Sequence, residues 1–318
     1  MPHQVTIATV DYLDFLSNDP TKRQNFIDAL GNSFCQIGFA IVSNHGLTES
    51  LKNQLFQATE TFFNLPEKVK SHYEIPEIAG QRGYVGRYKE TAKGHKIADM
   101  KEFYHIGQVA DDSQQHHYPA NIWPKEVPEF QNIGIKMYQR FEAIGADLLR
   151  AIALYLNLDE TYFNDKIKHG NSILRLLHYF AVEDTNEIPT GSLRAAAHED
   201  INLITLLMGA SAEGLQAKTK LGAWIDVNPK PDQIVVNIGD MLQWLTNGKL
   251  VSTSHRVVNP SHELMKKPRY STPFFLHPVA SMDLSPLPQT ISSDHPKQFE
   301  NTTAGAYLDQ RLRELGLK

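Results

Sequence analysis

From Ser172 onward the chain is a succession of short strand-forming runs: ILRLLHYF (173–180), INLITLLM (201–208), GAWIDV (222–227), QIVVNIG (233–239) and RYSTPFFL (269–276). Each is rich in β-branched, aliphatic or aromatic residues, and turn-forming residues separate them. Short strands at this spacing must pair with one another and bury one face, which predicts an antiparallel sandwich or barrel with a jelly-roll-like core.

The first half reads differently. Asn18-Asp19-Pro20-Thr21 precedes Phe26, Ala29, Leu30 and Phe34 at helical spacing, predicting a capped helix over 21–36. GFAIV (38–42) reads as a buried strand running into the turn Ser43-Asn44-His45-Gly46, and a helix follows over 48–63. Residues 75–100, with Gly80, Gly83, Gly86 and Gly94 among charged and aromatic residues, read as an extended surface loop. Over 126–157, Ile133, Met137, Phe141, Ile144, Leu148 and Ile152 recur every three or four residues, a long amphipathic helix. Tyr307, Leu308, Leu312 and Leu315 mark one more helix near the end. The expected fold class is mainly β with flanking helices. Its regions are a mixed α/β stretch at 1–125, a buttressing helix at 126–165, the β core at 166–280 and a C-terminal extension at 281–318.

Composition narrows the chemistry. The 318 residues carry 31 Lys+Arg against 36 Asp+Glu, a net charge of −5, which argues against a partner bound by neutralising nucleic-acid phosphates. The one cysteine, Cys35, excludes an intrachain disulfide and a Cys-based zinc site. With 14 histidines available, a metal here would take His and carboxylate ligands, which suits iron, zinc or manganese. The N-terminus lacks a basic stretch followed by an apolar one, and the apolar runs fall short of the roughly 18–20 residues of a membrane span. A cytoplasmic setting is the expectation, with no membrane and no nucleic-acid partner. The oligomeric state is not legible.

His198, Asp200 and His255 form the informative constellation. In an extended segment residues two apart share a face, so His198 and Asp200 can point together while Glu199 points away. A sandwich can bring His255, 55 residues after Asp200, alongside them. Two imidazoles and one carboxylate on one face of an octahedral ion leave three open positions, an arrangement that suits non-heme Fe(II). Taken alone such a tripeptide is common on protein surfaces. Arg269 and Ser271, again two apart, add a guanidinium fork and a hydroxyl on one face, suited to a carboxylate.

HEDINLITLL (198–207), NIGDMLQWLTNGKLVSTSHRVV (237–258) and RYSTPFF (269–275) resemble the catalytic core of the Fe(II)/2-oxoglutarate-dependent dioxygenases, in the isopenicillin N synthase-like branch. GFAIVSNHG (38–46), FFNLP (62–66), Gly83-Tyr84, DMKEFYHIG (99–107) and NIWP (121–124) resemble that branch's N-terminal region. The resemblance implies a distorted double-stranded β-helix (jelly roll) with Fe(II) on His198, Asp200 and His255. It implies that Arg269 and Ser271 bind the distal carboxylate of 2-oxoglutarate, with Tyr179 as a cosubstrate contact. His255 and Arg269 are 14 residues apart, wider than is common in the family, and the segment 260–268 fills the gap. The implied activity is O2-dependent hydroxylation, desaturation or cyclisation of a small organic substrate, with 2-oxoglutarate converted to succinate and CO2. An isopenicillin N synthase-like or aminocyclopropane carboxylate oxidase-like oxidase would keep the iron and not use 2-oxoglutarate. A non-catalytic metal-binding sensor would keep only the fold.

Plainer readings stand beside these. His45 is expected to satisfy backbone groups, His262 and His277 to lie at a loop or strand edge, and Glu199 to be solvated or to support the site. Asp240 reads as a turn residue, Trp244 as core and Cys35 as an inert buried thiol. Arg175 is either a buried structural charge or a substrate contact, and Tyr179 is either a cosubstrate contact or plain core packing. Arg82, Tyr84 and Arg87 read as a solvated loop or as a lid over the substrate.

Overall fold

A computed structural model of the chain describes residues 6–90, 98–109, 118–183, 193–209 and 214–314. Strand β1 (Ala8–Asp11) and the single helical turn α1 (Tyr12–Phe15) precede helix α2 (Pro20–Gln36). The Asp19 carboxylate caps α2, accepting from the Thr21 and Lys22 amides at 2.9 and 3.3 Å, and Pro20 takes the first helical position, where no amide donor is needed. Strand β2 (Phe39–Ser43) follows Gly38, whose φ of +69° and closeness to the Val251 carbonyl leave no room for a side chain. Helix α3 (Glu49–Phe63), capped by Thr48, and the short α4 (Glu67–Lys70) lead to β3 (Gly83–Val85) and β4 (Glu102–Gly107).

Helix α5 (Glu129–Tyr155) carries the predicted apolar stripe and is followed by α6 (Asn164–Ile167). The β-rich half contains β5 (Ile173–Tyr179), β6 (Ala195–His198), β7 (Ile204–Gly209), β8 (Leu215–Lys218), β9 (Trp224–Asp226) and β10 (Ile234–Ile238). It closes with α7 (Asp240–Leu245), β11 (His255–Val257), α8 (His262–Met265), β12 (Arg269–Leu276) and α9 (Ala304–Glu314).

These strands form two sheets, ordered β1-β2-β10-β7-β12-β5-β4-β3 and β6-β11-β8-β9. Among the described strands only β1 and β2 pair in parallel. The sheets face each other through a small apolar cluster joining Phe39 and Val235 of the large sheet to Leu215, Ala217 and Val257 of the small one. This is the jelly-roll core. The N-terminal half extends it at both edges, with β1 and β2 at one and β4 and β3 at the other.

The large sheet's other face carries the main core under α2, α3 and α5. Strand alternation sorts β12 accordingly: Tyr270, Phe274 and Leu276 join that core, and Phe274 stacks on Phe141 of α5 at 5.6 Å between centroids. Arg269 and Ser271 therefore face the space between the sheets. Pro273 cannot donate to a ladder, and the β12–β5 pairing is interrupted at Thr272 and Pro273 without a change of register.

Several sequence expectations change here. Arg82 and Tyr84 are fully buried, so neither belongs to a solvated loop or a lid; only Arg87 keeps a half-exposed side chain. Gly83–Val85 is an edge strand within the predicted loop, and residues 91–97 lie outside the described residues. The Tyr84 hydroxyl bonds the fully buried Glu102 carboxylate. Lys70 Nζ at 2.6 Å, His178 Nδ1 at 2.8 Å and Arg87 Nε at 3.4 Å complete its shell. Burial alone would raise Glu102; these partners hold it down at about 2.

Asp240 is no turn filler. It opens α7 with a buried carboxylate that accepts from Ser252 Oγ at 2.7 Å and the Tyr307 hydroxyl at 3.1 Å, docking α9. Trp244 is partly exposed and packs on Phe299 and Tyr307, and Cys35 is half-buried, 3.4 Å from the Tyr155 hydroxyl. His45 is buried and satisfies the backbone as expected, reaching the Asp232 carbonyl at 2.8 Å. Leu315, one of the residues that marked the last helix, lies outside the described residues.

Candidate active site

The end of β6 and the start of β11 lie side by side, with His198 directly opposite His255 in the antiparallel register. Their rings are 4.5 Å apart between centroids. The register shifts between His255 and Val257, an irregularity of the kind that re-aims side chains beside active sites. His198 Nδ1 donates to the Ala196 carbonyl at 2.7 Å, and His255 Nδ1 donates to the Thr253 carbonyl at 3.1 Å. With both Nδ1 atoms committed, each Nε2 is left as a lone-pair donor.

Asp200 lies just past the end of β6, so the shared face continues beyond the strand into the connection that follows it. Its Oδ2 accepts from Thr205 Oγ1 at 2.6 Å and from Asn237 Nδ2 at 2.8 Å. Thr205 is held in turn by Asn202 Nδ2 at 2.8 Å. Oδ1 then faces the two imidazoles, 3.7 Å from His198 Nε2 and 3.8 Å from His255 Nε2. All three ligand atoms lie within 4.8 Å of one another, the one such cluster among the described residues.

The protonation states match a cation site. Burial, reinforced by His255, lowers His198 and keeps it neutral. Burial opposes ionisation of Asp200, but the facing His255 and His198 and the bonds from Asn237 and Thr205 hold it below the usual carboxylate range. Two neutral imidazole nitrogens, an ionised oxygen and oriented outer partners make a donor set that fits Fe(II).

Arg269 and Ser271 lie on β12, both buried. Arg269 pairs with Tyr179 across to β5, and its guanidinium sits 5.1 Å from the Tyr179 ring centroid. Ser271 pairs with Leu177 on one side and Gly209 on the other. The longer connection after His255 is absorbed by α8, so β12 keeps its place in the sheet. Thr205, which holds Asp200, pairs with Phe275 of the same strand. Asp200 is thus level with Phe275 of β12, with Ser271 and then Arg269 further along that strand.

The sequence left the role of Arg175 open; it lies on β5, beside β12 in the large sheet and on the same face as Arg269 and Ser271. Arg175 donates through both Nη atoms to Glu90 at 3.2 and 3.3 Å and through Nε to His105 Nε2 at 2.6 Å. Its guanidinium sits 4.2 Å from the Phe103 centroid and 5.2 Å from that of Phe275. His105 donates from Nδ1 to the Gly80 carbonyl at 2.7 Å, and burial beside Arg175 keeps it neutral. Glu90 is opposed by burial, yet Arg175 and Lys101 hold it well below the usual range. Alternation in DMKEFYHIG was the available signal: Phe103 and His105 share the face of the sheet that carries Arg175, while Glu102, Tyr104 and Ile106 face the other way.

His277, expected at a strand edge, follows Phe275 by two residues on β12's continuation. Burial lowers it to about 4, and it feels both Asp200 and Arg82. His262 opens α8 and is exposed. Glu199 is partly buried.

Residues 170–278 match the 2OG-Fe(II) oxygenase superfamily, and residues 7–126 match the family described as non-haem dioxygenase in morphine synthesis, N-terminal. A proline hydroxylase of Petromyces alliaceus is 33% identical, with 96% of this chain and 98% of the relative covered. A crystal structure of a 2OG-Fe(II) oxygenase family protein from Caulobacter crescentus superposes with a TM-score of 0.88 at 39% identity, over 98% of this chain and 99% of that one. A full-length Neurospora crassa protein, solved in complex with alpha-KG and thymine, gives a TM-score of 0.85 at 30% identity, with 96% of each chain covered. By sequence, fold and the chemistry of its ligand set, the chain belongs to the Fe(II)- and 2-oxoglutarate-dependent oxygenases.

Proposed function

We propose that His198, Asp200 and His255 are the catalytic iron ligands of a hydroxylase, that Arg269 and Ser271 anchor the distal carboxylate of 2-oxoglutarate, and that Tyr179 lines the same pocket. The observation that carries this reading is the convergence of two imidazole Nε2 atoms and one carboxylate oxygen within 4.8 Å of one another. The bound iron supplies the activation of O2 that couples decarboxylation of 2-oxoglutarate to hydroxylation of the substrate.

The chain's own residues orient and exclude water. The Ala196 and Thr253 carbonyls hold the two imidazoles in one tautomer, and Thr205 and Asn237 hold Asp200. Arg269 offers a buried positive charge to a dicarboxylate, screened from water by its place over Tyr179. Arg175 and Glu90 give the same face of the large sheet a polar surface with balanced charge, and Phe103 and Phe275 flank it, so that Arg269 and this polar patch form one wall. That wall fits a small, polar organic molecule. Relatives named for proline hydroxylation or solved with thymine fall in this range. Among the described residues no helix is long and apolar enough to cross a membrane. The lone Cys35 accords with a reducing, cytoplasmic setting.

A panel of amino acids and pyrimidines, incubated with Fe(II), 2-oxoglutarate and O2, tests the reading. At least one compound is expected to raise succinate formation above the substrate-free rate, and His198→Ala is expected to abolish it. Undiminished turnover in His198→Ala would overturn the assignment.

A further inference from the structure

Strand β6 carries His198 although it is an edge strand, with β11 as its neighbour on one side only. An edge strand normally leaves amides to water and is free to shift. Here the outer side is held by side chains and loop backbone. Asp99 Oδ1 accepts from the Ala196 amide at 3.1 Å, and the Met100 amide reaches the Leu193 carbonyl at 3.4 Å. Asp99 and Ala196 are both about 4% exposed, so water does not stand in for that bond.

Ala196 is the residue whose carbonyl accepts from His198 Nδ1. One peptide unit removed, the Asp99 carboxylate therefore fixes the acceptor that sets the tautomer and angle of the imidazole. The other Asp99 oxygen, Oδ2, is 2.7 Å from Lys101 Nζ, and the same Nζ is 2.6 Å from Glu90 Oε2. Glu90 is also the partner of Arg175 on the cavity wall. A continuous chain of contacts runs from that wall through Glu90, Lys101 and Asp99 to Ala196 and His198.

We infer that Asp99 is a positioning residue for His198, pinning the edge strand that presents it, and that Lys101 and Glu90 tie this pin to the wall facing the metal. The inference rests on His198 being an iron ligand. It predicts that removing the Asp99 acceptor loosens metal binding without touching any ligand, as loss of an outer partner of a ligating histidine does, by about 10–100-fold. It also predicts graded rescue. In Asp99→Asn an amide oxygen can still accept from Ala196, whereas Asp99→Ala offers nothing.

The test measures Mn(II) affinity by the loss of the free-ion EPR signal, and the visible spectrum of the Co(II)-loaded protein, for wild type, Asp99→Ala, Asp99→Asn and His198→Ala. The expected order of affinity is wild type, then Asn, then Ala with a loss of about tenfold or more and an altered Co(II) spectrum. Wild-type affinity and spectrum in a folded Asp99→Ala would overturn the inference while leaving the ligand assignment intact. Wild-type affinity in His198→Ala would instead overturn the assignment on which it rests. A measurement on the unaltered metal-free protein applies if Asp99→Ala does not fold. The Ala196 amide should exchange slowly for an edge position, and the 15N shifts of His198 should report the Nδ1–H tautomer. Fast exchange together with a mixed tautomer would also overturn the inference.

Discussion

At the residue scale, the cavity depends on imidazoles kept neutral by their surroundings. His105 cannot gain a proton at Nε2 while that atom accepts from Arg175, and burial already holds it well below its ordinary value. Such a group binds a proton in the unfolded chain before it does so in the folded one. Stability attributable to it is full above the unfolded value near 6.5 and falls as pH drops below that. Glu90 and Glu102, both held down in the fold, add a second loss below the ordinary glutamate range. The expected outcome is a urea midpoint that falls from pH 7 to pH 5 and then more steeply toward pH 3. The slope of a single fully buried group is about 1.4 kcal/mol per pH unit. Replacing His105 by Gln should flatten the first part, and an unchanged slope would show that another group sets it.

At the element scale, β12 links stability to function, because one face carries the core and the other the proposed cosubstrate pocket. Phe274 is fully buried between Phe141 and Tyr138, the latter 5.1 Å away between centroids. Phe274→Ala should cost about 3–5 kcal/mol, as deletion of a buried ring does. It should also weaken 2-oxoglutarate binding, although Phe274 points away from the pocket. Urea titration and a cosubstrate titration on the same variant check this; lost stability with unchanged affinity would separate the two faces.

The same alternation explains what was legible in the sequence. The runs that became β5, β7, β10 and β12 are central strands buried on both faces, so they stand out as apolar. Strands β6, β8 and β11 read AAAH, LQAK and HRV, too short and too mixed to declare themselves. The candidate metal triad was readable because Arg269 and Ser271 and the family resemblance of the surrounding segments stand beside it, the His-x-Asp spacing alone being common. Asp99, Lys101 and Glu90 were not, since a charged residue reads as solvated until a partner distant in sequence is placed against it. Arg82 failed for the same reason. It is paired with Asn171 Oδ1 at 2.9 Å and lies against Gly107, where the absence of a side chain makes its room.

At the scale of the whole molecule, helices brace one face of a large sheet, a small sheet covers the other, and the site lies between the sheets. Such a cavity should hold Fe(II) and 2-oxoglutarate together, with Arg269 as the distal anchor, and every functional proposal above depends on that. The decisive experiment is an anaerobic titration of the Fe(II)-loaded protein with 2-oxoglutarate, followed in the visible range. A metal-to-ligand charge-transfer band that saturates in wild type is the expected outcome. In Arg269→Gln the same band should require far more cosubstrate, because truncating a buried charge partner costs about 2–5 kcal/mol. If the Fe(II)-loaded wild type gave no band, or the two proteins bound the cosubstrate equally well, Arg269 and the triad would not form one cofactor site.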